Sequence, residues 1–191
     1  MVKRLSLELE QLKKNVENCR KCPLWKSRSK PVFGEGPPNA RIMLIGLGPG
    51  YHEDKEGRPF VGSAGKFLNK LLELSKIRRD EVYITNIVKC YLPENKASDE
   101  VIRMCTPYLD KQIEIIDPEH IIGLGSIAVE YLSEKYGFQF TSIEKMHGAT
   151  LKISTVSREV KITIMYHPAA GLRNPSLRRI IEEDWKRLLN Y

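Results

Sequence analysis

The sequence predicts an α/β fold built on a mainly parallel sheet, and three observations carry that expectation. Short apolar runs that suit buried strands alternate with longer stretches of helical periodicity. The first run, residues 41–45, breaks at once into a turn from Gly46 to Gly50 that holds three glycines and a proline. Glycine or polar groups then recur where strands end, at Gly46, Asn86 and His167. In open α/β sheets ligands bind beyond the carboxyl ends of the strands, so these three are expected to meet at one edge. A chain of 191 residues, 41% hydrophobic and 29% charged, is large enough for one core, and residues 1–191 read as a single domain.

Residues 5–16 space Leu5, Leu7, Leu9, Leu12 and Val16 among charged residues, mostly along one helical face. Cys19-Arg20-Lys21-Cys22-Pro23 follows, a spacing that lets two sulfurs face one metal centre or form a redox pair. Residues 27–38, rich in basic residues, proline and glycine, read as an extended loop. In the turn after the first strand, glycines let backbone N–H groups approach a ligand without a Cβ in the way, and Glu53, Asp54 and Phe60 follow within reach. The plainer alternative is an ordinary strand-to-loop turn. Residues 65–75 form a helix whose amino end favours an anion.

The strand expected over 81–91 carries polar Thr85 and Asn86 in its middle. An asparagine offers two donors and an acceptor, the set needed either to read the amide-like edge of a base or to anchor a loop on backbone. A long helix over 98–116 begins at Ser98 or Asp99 as N-cap. A short strand over 120–124 leads through Gly125, Ser126 and Ile127 into a helix that runs to Tyr136, and residues 151–153 and 160–166 are further strands. His167 ends the last strand and opens a proline-bounded loop to Ser176. Residues 177–191 close the chain as an amphipathic helix with Ile180, Ile181, Trp185, Leu188 and Leu189 apolar.

A formal charge of +7 and a pI near 9.2 point to a polyanionic partner such as nucleic acid. No run approaches the roughly 18 apolar residues of a membrane span. The charged, helical start is unlike a secretion signal, so the expectation is an intracellular, soluble protein. In that setting four cysteines suit metal ligands or buried apolar residues better than a disulfide framework. The pattern C-x2-C, a long gap, then C-x14-C lets Cys19, Cys22, Cys90 and Cys105 converge on a four-thiolate centre, either a [4Fe-4S] cluster or zinc, with unrelated buried thiols as the alternative.

Taken jointly, GLGPGYHED with GRPFVGSAG, the strand TNIVKC, the segment HPAAGLRNPS and the four cysteines resemble the family 4 uracil-DNA glycosylases of thermophilic bacteria and archaea, over residues 19–185. The resemblance implies a three-layer α/β/α fold around a four-stranded, mainly parallel sheet. It implies a [4Fe-4S] cluster on Cys19, Cys22, Cys90 and Cys105, and hydrolysis of the N-glycosidic bond of deoxyuridine in single- or double-stranded DNA. That reaction opens base excision repair, here by a monomer in the prokaryotic cytoplasm at the nucleoid.

The resemblance also implies roles for single residues. Phe60 stacks on the flipped uracil and Asn86 bonds its Watson–Crick edge. Glu53 lies near C5 and helps exclude thymine, while His167 faces O2 with backbone N–H groups around Gly48. Leu172 is the candidate wedge that fills the gap left by the base. Arg173, Arg178 and Arg179 are candidate phosphate contacts, with a solvated helix face as the alternative. The chain departs from the family at Leu47, where the family carries glutamate, and over residues 91–96, which lack a Pro-x-Asn-Arg ending. Leucine cannot polarise water, so any role of that glutamate is lost here or moved to Glu53 or Asp54; these two and His167 are the catalytic candidates and Leu47 is part of the substrate wall. The rival readings are a damage-sensing DNA-binding protein without catalysis, and a glycosylase for another deaminated base such as hypoxanthine or xanthine.

Overall fold

In the computed structural model, which describes residues 2–156 and 158–188, the apolar runs join into one sheet. Its strands are β1 (Ile42–Gly46), β2 (Val82–Asn86), β3 (His120–Leu124), β4 (Thr150–Ser154) and β5 (Glu159–Met165), in the order β2-β1-β3-β5-β4. The helices are α1 (Val2–Glu17), α2 (Tyr51–Glu56), α3 (Ser63–Leu74), α4 (Asp99–Ile116), α5 (Ser126–Tyr136), α6 (Ile143–Met146), α7 (Pro168–Arg173) and α8 (Pro175–Arg187). Alternation along the strands sends neighbouring side chains to opposite faces. Met43 and Ile45 of β1 therefore join Ile121 of β3, Val16 of α1 and Leu109 and Ile113 of α4 on one face. Leu44 and Ile122 pack on the other against Leu68 and Leu71 of α3 and Ile181 and Trp185 of α8. Helices thus cover both faces, which is why the inner strands read as unbroken apolar runs. Truncating Leu109 or Leu44, both wholly buried, to alanine removes about 2–5 kcal/mol.

The four parallel strands are those expected, but the sheet has a fifth member. β4 pairs antiparallel with β5 at the edge, and its alternation of half-buried and exposed residues shows that only one of its faces is covered. β2 is also shorter than the expected 81–91. Beyond Asn86 the chain leaves the ladder, and the N–H groups of Ile87 and Val88 donate to the carbonyls of Gly46 and Leu47 past the end of β1, at 2.9 and 2.8 Å. The acidic stretch after the glycine turn is helical, as α2. The expected loop after His167 is helical too, because Pro168 at the first helical position has the φ a helix start requires and loses no needed donor. α8 starts two residues earlier than expected, capped by Asn174, whose Oδ1 accepts from the Ser176 N–H at 2.9 Å. The expected end of the closing helix, with Leu189, lies outside the described residues.

Register aligns the strand ends. Gly46 stands beside Asn86, and Leu124 beside Met165, so the exits of β1, β2, β3 and β5 share one edge of the sheet.

Candidate functional site

A cavity of about 400 Å³ opens at that edge. Leu47, Gly48, Glu53, Phe60, Asn86 and His167 all line it, and Asn95, Gly125 to Ala128 and Arg173 complete its rim. Of the three strand-end groups singled out in the sequence, Asn86 and His167 line the cavity and Gly46 lies against Asn86, drawn from positions far apart in the chain.

Phe60 is held with φ of 51°, an unusual conformation for a residue with a side chain. Gly65 makes room for it: a Cβ at residue 65 would lie 1.8 Å from the Phe60 carbonyl oxygen. The Phe60 ring stacks with that of His167, centroids 5.6 Å apart. Asn86 is buried against Gly46, where a Cβ would come within 2.5 Å of its Oδ1. Its side-chain amide makes no hydrogen bond to protein among the described residues, so both donors and the acceptor are unused.

His167 caps α7. Its Nδ1 accepts the Ala169 N–H at 3.1 Å, which assigns the proton of the neutral ring to Nε2. Burial pulls its pKa down to about 4, the nearby Arg173 charge pushes the same way, and Glu53 opposes. The ring is thus a neutral N–H donor over the physiological range. Glu53 spends Oε1 on the Val61 and Gly62 N–H groups, at 3.1 and 2.9 Å, while Oε2 has no protein partner among the described residues. It is the single carboxylate lining the cavity among them.

Asp54 does not join it. Its buried carboxylate accepts the Ser29 N–H at 2.8 and 3.0 Å and the Lys30 N–H at 3.4 Å, fastening the 27–38 loop to α2. Successive helical residues point about 100° apart, so when Glu53 faces the cavity Asp54 faces away, and the expectation of a catalytic Asp54 fails. Leu47, half-buried, packs on the core beneath the cavity and presents an apolar wall. A Cβ on Gly48 would lie 2.4 Å from Leu92 Cδ1, so a larger residue there must displace that side chain.

Leu172 is 44% exposed on α7, beside Arg173 at the cavity rim. Arg178 is not brought to the cavity: its Nε donates to Glu182 at 3.1 Å and its guanidinium lies 4.9 Å over the Phe67 ring. Arg179 is exposed on the same helix.

The four cysteines gather elsewhere, as free thiols around one small cavity shared with Arg28, Lys89 and Tyr108. Arg28 donates from Nη1 to Cys90 Sγ at 3.1 Å and from Nη2 to the carbonyls of Glu17 and Cys19 at 2.6 and 3.2 Å. The Lys89 N–H reaches Cys105 Sγ at 3.3 Å, and Tyr108 lines the same small cavity. Burial pushes the Cys105 thiol up to about 11 and raises Cys90 as well, although Arg28 opposes the latter. Such thiols ionise only beside positive charge, which a metal centre supplies. Four sulfurs are a soft donor set suited to iron–sulfur or zinc. Among the described residues no three metal-binding side chains stand close enough to share one bare ion.

The sequence from Phe33 onward matches the model of the "Uracil DNA glycosylase superfamily" over residues 33–189. The chain belongs to this superfamily. It is 47% identical over 182 residues to a type-4 uracil-DNA glycosylase of Sulfurisphaera tokodaii, covering 94% of this chain and 83% of that one. Similar likeness extends to the type-4 uracil-DNA glycosylases of Thermotoga maritima, 42% identical over 92% of this chain and 90% of the relative, and Archaeoglobus fulgidus, 38% identical over 94% and 91%.

Two features of this superfamily member escaped the sequence reading. The amino end of α5, at Gly125 to Ala128, lines the cavity, and Gly125 there has φ of 92°. Its signal was the same strand-then-glycine break seen at Gly46. Lys89, wholly buried, donates from Nζ to Thr85 Oγ1, the Asn86 carbonyl and Gln112 Oε1 at 2.8, 2.6 and 2.6 Å. Burial pulls its ammonium down to about 7. A lysine in a strand-like run gives no sign of such burial, because one of its acceptors, Gln112, comes from a helix remote in sequence.

Proposed function

We propose that this chain excises uracil from DNA by hydrolysing the N-glycosidic bond, opening base excision repair. One observation carries the reading: the cavity holds unspent hydrogen-bonding groups, the Asn86 amide and the His167 Nε2–H, against an aromatic ring, in a chain similar along most of its length to type-4 uracil-DNA glycosylases. A planar ring with alternating donors and acceptors is the ligand such a set takes.

A base inside a duplex cannot reach the cavity, so the nucleotide is flipped out, at a cost of a few kcal/mol. Leu172 is the wedge that replaces it, and Arg173 and the amino end of α5 face the flanking phosphates. Phe60 stacks on the ring, Asn86 pairs with its edge, and Glu53 stands as the wall beside C5 that excludes a methyl group. As the bond to C1′ lengthens, negative charge gathers on O2. The neutral His167 Nε2–H, with backbone N–H groups around Gly48, stabilises that charge without giving up a proton. Glu53 Oε2 is the group left to orient water onto the cation-like sugar, since Leu47 offers no polar atom.

Cys19, Cys22, Cys90 and Cys105 are the residues that would hold a [4Fe-4S] cluster. Bound there, it supplies four covalent ties joining the start of the chain to its middle. The expected setting is action as a monomer on uracil in single- or double-stranded DNA in the cytoplasm. No described helix is long and apolar enough to cross a membrane.

The test is a duplex carrying one uracil, incubated with the protein and then with alkali. Strand cleavage at that position is expected; an intact strand at high protein concentration overturns the reading. With Glu53 doing the work, Leu47→Glu should change the rate by less than about tenfold.

A further inference from the structure

The conformation of Phe60 needs an explanation that the cavity itself does not provide. A side-chain-bearing residue at positive φ costs about 1–3 kcal/mol and persists only where its surroundings impose it. If the backbone relaxed to an extended form, the ring would swing away from His167. Two grips hold the loop, one on each side of Phe60. After it, Glu53 Oε1 takes the Val61 and Gly62 N–H groups. Before it, Arg79 Nη2 donates to the Pro59 carbonyl at 2.8 Å.

Arg79 is itself anchored. Its Nε and Nη2 donate to Glu35 Oε1 at 3.2 and 2.8 Å, and its Nη1 donates to Asn69 Oδ1 on α3 at 2.8 Å. Glu35 is fixed in turn by reciprocal backbone hydrogen bonds with Ile84 of β2, at 3.0 and 2.8 Å. The guanidinium fork therefore ties the Phe60 loop to α3 and to β2, whose next residues but one end in Asn86. Arg58 also reaches Glu35, at 2.8 Å, but no bond joins its side chain to the Pro59 carbonyl.

We propose that Arg79, seated on Glu35, is a positioning residue that holds Phe60 in its base-stacking geometry and sets it in register with Asn86. This rests on the reading of the cavity as a base pocket. Arg79 touches no substrate; it acts through the Pro59 carbonyl, and lysine, lacking the fork, cannot make all three contacts at once.

The experiment compares Arg79→Met, Arg79→Lys, Phe60→Ala and the double variant Arg79→Met/Phe60→Ala, with Arg58→Met as the control for loss of the Glu35 pair alone. Binding is read on a duplex with one 2′-fluoro-2′-deoxyuridine, whose fluorine disfavours the cation-like sugar and preserves the bond, against the same duplex with thymidine. Arg79→Met should lower the preference for the uracil duplex about tenfold, the loss of one charge-assisted hydrogen bond. Arg79→Lys should recover part of it, and Arg58→Met should match the parent. In the Phe60→Ala background Arg79→Met should have little further effect, because there is no ring left to position. An unchanged preference, or the same loss with and without the ring, overturns the proposal. Should Arg79→Met fail to fold, Glu35→Gln takes its place in the cycle. If the parent protein binds the uracil duplex selectively but releases no base, the glycosylase reading fails while the cycle still decides the role of Arg79.

Discussion

The base cavity and the surroundings of Lys89 are both polar, both reached through β2, and opposite in how their hydrogen bonds are used. Around Lys89 every strong group is matched inside the protein: Nζ has three acceptors, and Gln112 bonds the Phe33 carbonyl and the Tyr83 hydroxyl at 2.8 and 2.9 Å. Three residues away, the Asn86 amide is unspent. Matched polar groups rigidify a fold, whereas unmatched ones at a cavity await a ligand. The difference separates scaffold from site more sharply than burial does, since Lys89 and Asn86 are both buried.

Substitutions on the two sides should break that contrast in opposite ways. His167→Ala removes a donor aimed at developing charge, so single-turnover uracil release should fall about 10²–10³-fold with little change in melting temperature. Asn86→Ala should lower the same rate by roughly 10-fold or more, mostly through weaker base binding. Lys89→Met leaves three buried acceptors facing an apolar chain and should lower the melting temperature by roughly 5–10 °C. An unchanged melting temperature would show that the network is not what holds this region.

The adjacent acids offer a finer test. Glu53→Gln should reduce base release about tenfold, while Asp54→Asn should cost about 1 kcal/mol of stability and leave the rate within about twofold. Equal rate losses for the two would mean that Asp54 has a part in the chemistry after all. Histidine supplies a test of a different kind. Burial holds His167 and His120 near 4, well below the ordinary value of 6.5. Between those values the unfolded chain binds more protons than the folded one, so stability should fall as pH drops from 6.5 to 4 and not further through these groups. Over the same interval His167 remains mostly neutral, so melting temperature measured against pH should move before the rate of base release does.

Much of this was legible in the sequence. Strand runs, glycine breaks and cysteine spacing are local patterns, and they located the parallel strands, Gly46, Asn86, His167 and the four thiols. What escaped depended on partners distant in the chain. Asp54 and Glu53 look alike as neighbours, and only the path of residues 27–38 decides which carboxylate is consumed. Arg178 read as a candidate phosphate contact, and only its place over the Phe67 ring, a residue of α3, depends on how the helices pack. The α7 helix was read as a loop because its start is made by a histidine side chain as cap, a rare choice beside serine or aspartate.

The fifth strand has a practical consequence. β5 runs from Glu159 toward His167, so the turn joining it to β4 lies at the amino edge of the parallel strands, the full height of the sheet from the cavity. Val156 in that turn is fully exposed. A fluorophore or surface tether attached there would leave the DNA-facing edge clear, giving a handle for watching single molecules engage a duplex.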